Sequence, residues 1–468
     1  MGRVRKVSIT MLRGITKHGQ RFAIFVQPMN SSSSTFISSG KIRMMTHVCK
    51  MLLAIGAIAL CAQQVFASGD FQGSTHMVAF DEGTQNYNKA TPDDAIAQLQ
   101  KWIEADKADL RFSKERGYLD SLLAKLKIPQ SSQVLVFSKT SLQRDRISPG
   151  NPRAIYFNDD VYLGFIPGAP MIEISAAEPK MGGVFYTLDQ TAAAQPKFVR
   201  QDQCLDCHAS ARSMGVPGHL LRSLKTDENG SPELSSGTSE VNHRTPIEER
   251  WGGWYVTGQH GEQLHRGNLV GKAAFEKHEK TPNYRGNISD LSKFFDASHY
   301  PAKSSDIVAL MVLEHQVHMH NFITRLRYET DQKLAAYGHI NYVTNIAESF
   351  LKYMLFTEEA PMESAIEGNT SFANDFAAQG PFDSKGRSLR QFDLQTRMFK
   401  YPCSYLIYSK AFEAIPGQMK DYVYQRLHDI LTGKDASADY ARISRKQGRE
   451  ILKILVETKK DLPAYWKD

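Results

Sequence analysis

Apolar residues follow two different periods along this chain of 468 residues. The middle of the chain has short apolar runs separated by clusters of Gly, Pro, Asn and Asp. Such runs lie at 134–137, 154–157, 161–166, 171–175 and 184–188, with shorter candidates at 220–224 and 254–257. Short apolar runs bounded by turn residues are typical of strands. The region therefore predicts an antiparallel sheet of short strands.

On both sides of these runs the apolar residues recur at helical spacing. Leu99 and Ile103 belong to an N-terminal helical segment, and longer helices are predicted at 304–328, 331–356, 418–431 and 438–459, with a linker at 360–386. The predicted fold class is α+β. We divide the chain into an N-terminal helical segment at 68–130, a β-containing region at 131–300 and a helical region at 301–468.

The first 67 residues have the pattern of a leader. About a dozen apolar residues at 51–62 follow several cations and precede a small-residue site that ends at Ala67. This order predicts a secretory signal peptide cleaved between Ala67 and Ser68, whereas a membrane anchor needs roughly 20 apolar residues. Residues 1–43 fit an overcalled start upstream of the methionine pair that follows. The mature protein is expected in the periplasm or otherwise exported, without a transmembrane segment.

The positive net charge of +7 comes from this leader. Residues 1–67 contain nine Lys or Arg and no Asp or Glu, which leaves 48 basic against 50 acidic residues in the rest of the chain. Without a basic excess, the mature chain is not expected to bind nucleic acid.

One short motif holds two of the three cysteines outside the leader. Cys204, Cys207 and Cys403 are too few for a disulfide framework. The run Cys204-Leu205-Asp206-Cys207-His208 is C-x-x-C-H, the attachment signature of c-type haem. On one helical turn, the two thiols can form thioethers with the haem vinyl groups while His208 binds the iron. Because the motif occurs once, we expect one covalent haem c, on a short helix between the strands and the helical region.

In these five residues the chain resembles c-type cytochromes. The stretches NPRAIYFNDDVYLGFIPG, QCLDCHAS and WGGWYVTG also resemble those of an uncharacterised family of larger exported bacterial proteins with a single C-x-x-C-H. The resemblance implies a monohaem cytochrome with electron transfer as its minimum function and a redox partner protein.

A zinc site and a thioredoxin-type dithiol are the alternatives to haem at this motif. Zinc could use only a mixed set of two cysteines and two histidines, because Cys403 is the single cysteine elsewhere in the mature chain. A thioredoxin-type motif would have an aromatic or Gly-Pro centre in a βαβ context, whereas Leu205 and Asp206 stand between these cysteines. Haem is the favoured interpretation.

The ligand on the far side of the iron decides between an electron carrier and a catalyst. The predicted helix at 304–328 places His315 and Met319 one turn apart on its apolar face, with His320 pointing the other way. We predict that His315, or else Met319, is this ligand, because an unpartnered imidazole is costlier to bury than a thioether.

Other residues could also serve the haem. Further candidates for the far ligand are Met214, His219, His243, His260 and His265, and an open site is possible. Candidates for binding the haem propionates are Arg200, Arg212 and Arg266. Cys403 is expected to be a buried free thiol.

Whether the protein is an enzyme stays open at this point. The length of the chain favours a haem-dependent, peroxidase-like oxidoreductase acting on a small molecule as one alternative to an electron carrier. A haem-containing binding or sensory module is the other. Six-coordinate low-spin iron would favour the carrier, and five-coordinate high-spin iron would favour the enzyme.

Overall fold

The computed structural model describes residues 77–281 and 286–467. The predicted leader and its cleavage site lie outside these residues. The strands are β1 (Val134–Val136), β2 (Arg153–Phe157), β3 (Val161–Phe165), β4 (Met171–Glu178), β5 (Gly182–Asp189), β6 (Phe198–Arg200), β7 (Arg222–Leu224), β8 (Thr238–Glu240) and β9 (Trp254–Tyr255). The helices are α1 (Ala95–Glu104), α2 (Leu119–Lys125), α3 (Leu205–His208), α4 (Lys272–Lys280), α5 (Ile307–Tyr337), α6 (Thr344–Met354), α7 (Phe372–Ala377), α8 (Lys410–Glu413), α9 (Gly417–Thr432) and α10 (Arg445–Thr458).

Seven of the strands form one antiparallel sheet in the order β6-β5-β4-β3-β2-β1-β9. β7 and β8 pair separately as a two-stranded ribbon. Each predicted run from 134 to 188 is a strand of the sheet, and the turns between them are the Gly, Pro, Asn and Asp clusters. The predicted α+β class is therefore confirmed.

The two faces of the sheet pack against different parts of the chain. On β4, Ile172, Ile174 and Ala176 point into a core shared with α1 and α2. Glu173 and Ser175 alternate with them and lie on the opposite face, where they pair in register with Thr187 and Phe185 of β5. This opposite face carries the candidate functional site described below.

Helix α5 is the central element of the helical region. Asp306 caps its first turn by accepting the Val308 and Ala309 N–H groups at 2.8 and 3.2 Å, and Gly338 ends it in the left-handed conformation with φ 73°. The prediction of a break between 328 and 331 is wrong, because α5 runs on to Tyr337 and only Gly338 supplies the conformation that stops a helix.

The apolar face predicted for this helix is not its only buried side, because His320, on the other side, is buried as well. Most residues from Ile307 to Thr330 are buried, because the helix packs against β5 on one side and against α6, α7 and α8 on others. Over this stretch the helix has no solvent face, so its polar residues bind other parts of the protein.

The remaining differences are local. The predicted helix at 438–459 begins at Arg445, where Ser444 and Gln447 form a capping box, and the predicted linker at 360–386 contains α7. The described residues belong to one compact unit. No described helix is both long enough and apolar enough to span a membrane.

Candidate functional site

The C-x-x-C-H motif begins at Cys204, with three residues between it and the end of β6 at Arg200. A 3-10 turn at Asp202–Cys204 runs directly into α3, so both cysteines lie on one short helical segment, as predicted. Cys204 is half-buried, Cys207 is exposed, and neither forms a disulfide. Burial raises the pKa of Cys204 to about 11. A reactive dithiol needs a low thiol pKa, so this environment disfavours the thioredoxin alternative.

The imidazole of His208 is held by one backbone residue. Its Nδ1 lies 3.0 Å from the carbonyl oxygen of Gly218, and the N–H of Gly218 donates to the carbonyl of His208 at 2.8 Å. A carbonyl can only accept, so Nδ1 carries the proton and Nε2 carries the lone pair of the neutral ring. Burial lowers the pKa of His208 to about 4, which keeps the ring neutral. A metal-binding histidine commonly has this arrangement, with one nitrogen anchored and the other free to coordinate.

Phe185 supports the same imidazole from the sheet. Its ring centroid lies 4.7 Å from that of His208, and Phe185 stands on the face of β5 that also carries Thr187. The motif therefore rests on the polar face of the sheet, not on the face covered by α1 and α2.

Helix α5 holds the loop that follows the motif. Asn321 bonds to both backbone groups of His219, and Arg325 donates from Nη1 to the carbonyl of Met214 at 2.8 Å. Met214 itself has a left-handed backbone with φ 60°. The two anchors come from one face of a central helix, so the loop 209–219 is fixed to the core of the helical region.

The arginines predicted to bind propionates have other partners or lie elsewhere. Arg200 donates to Asp202 at 2.7 Å and to the backbone carbonyls of Tyr87 and Ala90. Arg212 pairs with Glu240 at 3.1 Å. The charge of Arg266 acts on His278 and Glu279 instead of on the motif.

Two arginines that the sequence did not single out have their charge beside the motif. The pKa of His208 depends most on burial and on the hydrogen bond to Gly218. The positive charges of Arg153 and Arg222 come next, and both lower this pKa. Arg153 pairs with Glu173 at 2.8 Å. Among the described residues, the half-buried guanidinium of Arg222 has no hydrogen-bond or ion-pair partner, although its strand pairs it with Glu240, which binds Arg212.

His315 is placed away from His208. Its Nδ1 lies 2.9 Å from His243 Nδ1, and its Nε2 lies 2.9 Å from Ser404 Oγ. Its ring also stacks on Tyr353 and Phe356. Both ring nitrogens are therefore engaged inside the helical core, which speaks against His315 as an iron ligand.

Met319 and Met214 are likewise enclosed in the hydrophobic core of the helical region. No described contact joins either side chain to His208. The part of α5 that reaches the motif loop lies at Asn321 and Arg325, on another side of the helix. Selection of a far ligand from α5 therefore stays a prediction without support from the described contacts.

Of the other histidine candidates, His219 is nearest to the motif. Its ring lies 6.1 Å from Phe185 and 4.6 Å from Tyr162, and its Nδ1 lies 3.2 Å from Ser175 Oγ. Its Nε2 is buried without a partner. His219 directly follows Gly218, whose carbonyl binds Nδ1 of His208. The pKa of His219 is lowered first by burial, and the charge of His208 is one of the further causes that lower it.

The last histidine candidates belong to separate clusters. His243 pairs with His315 as described above. His260 and His265 pack against each other with ring centroids 4.5 Å apart, in the segment that follows β9 at the opposite edge of the sheet. Neither cluster has a described contact with the motif.

The structure provides no ready zinc site at the motif. Within residues 77–281 and 286–467, no three His, Cys, Asp or Glu side chains are grouped as a metal ion would require. Cys403 is fully buried, as expected for a free thiol.

A surface cleft of about 710 Å³ lies apart from the motif. Its lining includes Asp120, Asp160 and Asp375 together with Leu123 and Ile128. No residue of the C-x-x-C-H motif contributes to it.

The supporting residues Gly218, Phe185, Asn321 and Arg222 were missed by sequence reasoning. One of them left a signal, because Pro217 and Gly218 mark a turn, whereas Asn321 stands among other polar residues of its helix, such as His320 and Arg325. No family model, curated protein or solved structure matches this chain.

Proposed function

We propose that this protein is an exported monohaem c-type cytochrome whose minimum function is electron transfer. The observation that carries the proposal is the state of His208. Its Nδ1–H is bound to the Gly218 carbonyl, and no hydrogen bond from the described residues engages its Nε2. It directly follows Cys207, which is exposed, and lies four residues after the half-buried Cys204.

The residues present fit a covalently bound haem. Cys204 and Cys207 would form the thioethers, His208 would bind the iron, and Phe185 would pack against its imidazole. The guanidinium of Arg222, which has no hydrogen-bond or ion-pair partner among the described residues, suits the carboxylates of a porphyrin. Bound haem would supply a one-electron couple at this surface.

The chain's own contribution is to hold this site rigid. The peptide of Gly218 fixes the orientation of the imidazole, and α5 fixes the loop that carries Gly218. The motif lies at the surface and not in the core, so a redox partner protein could approach it. Export with removal of residues 1–67 belongs to the same proposal.

A haem-dependent oxidoreductase and a haem-containing binding or sensory module remain the alternatives. They differ from the carrier in the far coordination position. Absorption spectra of the oxidised and reduced protein separate them, because a carrier should be six-coordinate and low-spin, whereas an enzyme with an open site should be five-coordinate and high-spin.

The attachment itself is tested by denaturing electrophoresis with a haem stain, on protein made in a host with cytochrome c maturation. The wild-type band should stain, and a Cys204→Ala, Cys207→Ala double variant should not. Cys403→Ala is the matched control, since it removes a thiol outside the motif, and its band should stain like the wild type. A matured wild-type chain without stain would contradict the proposal.

A further inference from the structure

Asn321 makes a two-point contact with the backbone beside the motif. The side chain lies in the middle of α5 and is 1% exposed. The N–H of His219 donates to Asn321 Oδ1 at 2.8 Å, and Asn321 Nδ2 donates to the carbonyl of His219 at 2.8 Å. An amide buried in this way gives up its hydration for these two bonds, so it fixes its target tightly.

The target of Asn321 is the peptide that anchors His208. The carbonyl of Gly218 and the N–H of His219 are the two polar ends of one peptide unit. The carbonyl end accepts from His208 Nδ1 at 3.0 Å, and the N–H end donates to Asn321 Oδ1. The bonds therefore form a chain, in which the bond to Asn321 polarises the peptide and makes its carbonyl a better acceptor.

The surrounding backbone leaves this peptide no freedom to turn. Gly183 N–H donates to the carbonyl of Pro217 at 2.8 Å, immediately before it. A Cβ built on Gly218 would collide with Asn321 Oδ1 and lie 3.3 Å from the Cβ of Ser213. Glycine at this position allows α5 and the motif loop to come into direct contact.

We propose that Asn321 is a positioning residue that sets the electron-donor strength of His208 and, through it, the reduction potential of the haem. The inference rests on the proposed function. A stronger Nδ1–H bond makes the imidazole a better donor to iron, which favours the ferric state. Asn321 strengthens this bond from a helix more than 100 residues away in sequence, through the peptide of Gly218 and not through a described contact with His208.

The test compares Asn321→Ala with Asn268→Ala by redox titration of the purified holoprotein. Asn268 is a matched control, because its amide binds the N–H and the carbonyl of Val256, both at 2.8 Å, at the opposite edge of the sheet. Its backbone is also left-handed, with φ 65°, so Ala there should cost at least as much stability. We expect a shift of the potential to more positive values for Asn321→Ala and none for Asn268→Ala.

Gly218→Ala breaks the same contact from the other side. The backbone of Gly218 is outside the left-handed region, so the added methyl group acts by displacing Asn321. It should shift the potential in the same direction, and the double variant should shift it by less than the sum of the two. If Asn321→Ala does not fold, Gly218→Ala decides alone.

The possible failures are distinguishable. Haem that stays attached with an unchanged potential in the Asn321 and Gly218 variants would overturn this inference and leave the cytochrome proposal intact. A shift of equal size in Asn268→Ala would also overturn it, because the effect would then follow stability. A wild-type chain that carries no haem would remove both proposals.

Discussion

His208 and His315 are two neutral imidazoles that the protein treats in opposite ways. Each has a ring nitrogen fixed by a hydrogen bond, His208 to a backbone carbonyl and His315 to His243. The second nitrogen differs. In His315 it lies 2.9 Å from Ser404 Oγ, whereas in His208 no hydrogen bond engages it among the described residues. The first pattern completes a core, and the second leaves a ligand atom available.

The surroundings of the two rings also differ. The ring of His315 is fully buried and contacts Tyr353, Phe356 and His243. The ring of His208 is half-buried, contacts Phe185 alone among the aromatic residues that the structure describes, and has the charges of Arg153 and Arg222 nearby. The comparison shows that burial of a histidine does not identify a metal ligand, and that the bonding of both ring nitrogens has to be known.

The largest expected effect is the difference between the absorption spectra when His208 or His315 is replaced by alanine. In His208→Ala the haem can still attach through the cysteines, but the iron loses its protein ligand, so the absorption spectrum of the reduced protein should change completely. In His315→Ala the spectrum should stay as in the wild type. A His315→Ala variant with the altered spectrum would identify His315 as the far ligand and break the comparison.

The second effect concerns stability. His315→Ala removes the partner of both His243 and Ser404 and leaves a cavity between aromatic rings, so it should lower the free energy of unfolding by about 3 kcal/mol. His299→Ala is the control, because His299 is exposed on a 3-10 turn and should change stability by less than about 0.5 kcal/mol. Urea unfolding measures both. Equal stability of the two variants would contradict a structural role for His315.

The third effect is a pH dependence of stability. Burial lowers the pKa of His315 from 6.5 to about 3 and lowers that of His243 and His318 as well. The folded protein therefore binds fewer protons than the unfolded chain, and this stability is fully present above pH 6.5 and is lost as the pH falls toward 3. In His315→Phe the free energy of unfolding should fall less steeply with decreasing pH, by a slope that corresponds to at most one bound proton. Parallel stability curves for variant and wild type from pH 7 to 4 would contradict this.

The smallest effect is expected from the arginines near the motif. Arg222→Gln removes a positive charge whose guanidinium has no described partner, which should favour ferric iron and shift the potential slightly to more negative values. Arg200→Gln is the control, because Arg200 is already neutralised by Asp202. Redox titration at low salt checks both. A larger shift in Arg200→Gln would assign the propionate contact to that residue instead.

The strands and the motif helix were predictable because their signals are local. Asn158, Asp159 and Asp160 mark the turn between β2 and β3, and the five residues of C-x-x-C-H form the helical turn that their spacing requires. The long helix was found from its apolar period, but its start was placed three residues early and its end too early as well. Gly338, which ends it, lies inside the stretch predicted as the next helix, 331–356.

The surroundings of the motif could not be predicted in this way. Asn321 binds His219 across 102 positions in the sequence, and Phe185 reaches His208 from another strand. The choice of His315 as the far ligand stays a prediction without support from the described contacts, since helical periodicity shows which residues share a side of α5 but not which element covers that side. When a helix is buried on all sides, its apolar residues do not show which side faces a cofactor.

The central claim is that Cys204 and Cys207 carry covalent haem. Mass spectrometry of the matured, denatured chain, followed by digestion, tests it most directly. We predict that one haem stays on the polypeptide and maps to the peptide that contains Cys204, Cys207 and His208, with Cys403 unmodified. An unmodified motif peptide with two free thiols, from a host that matures other c-type cytochromes, would contradict the account.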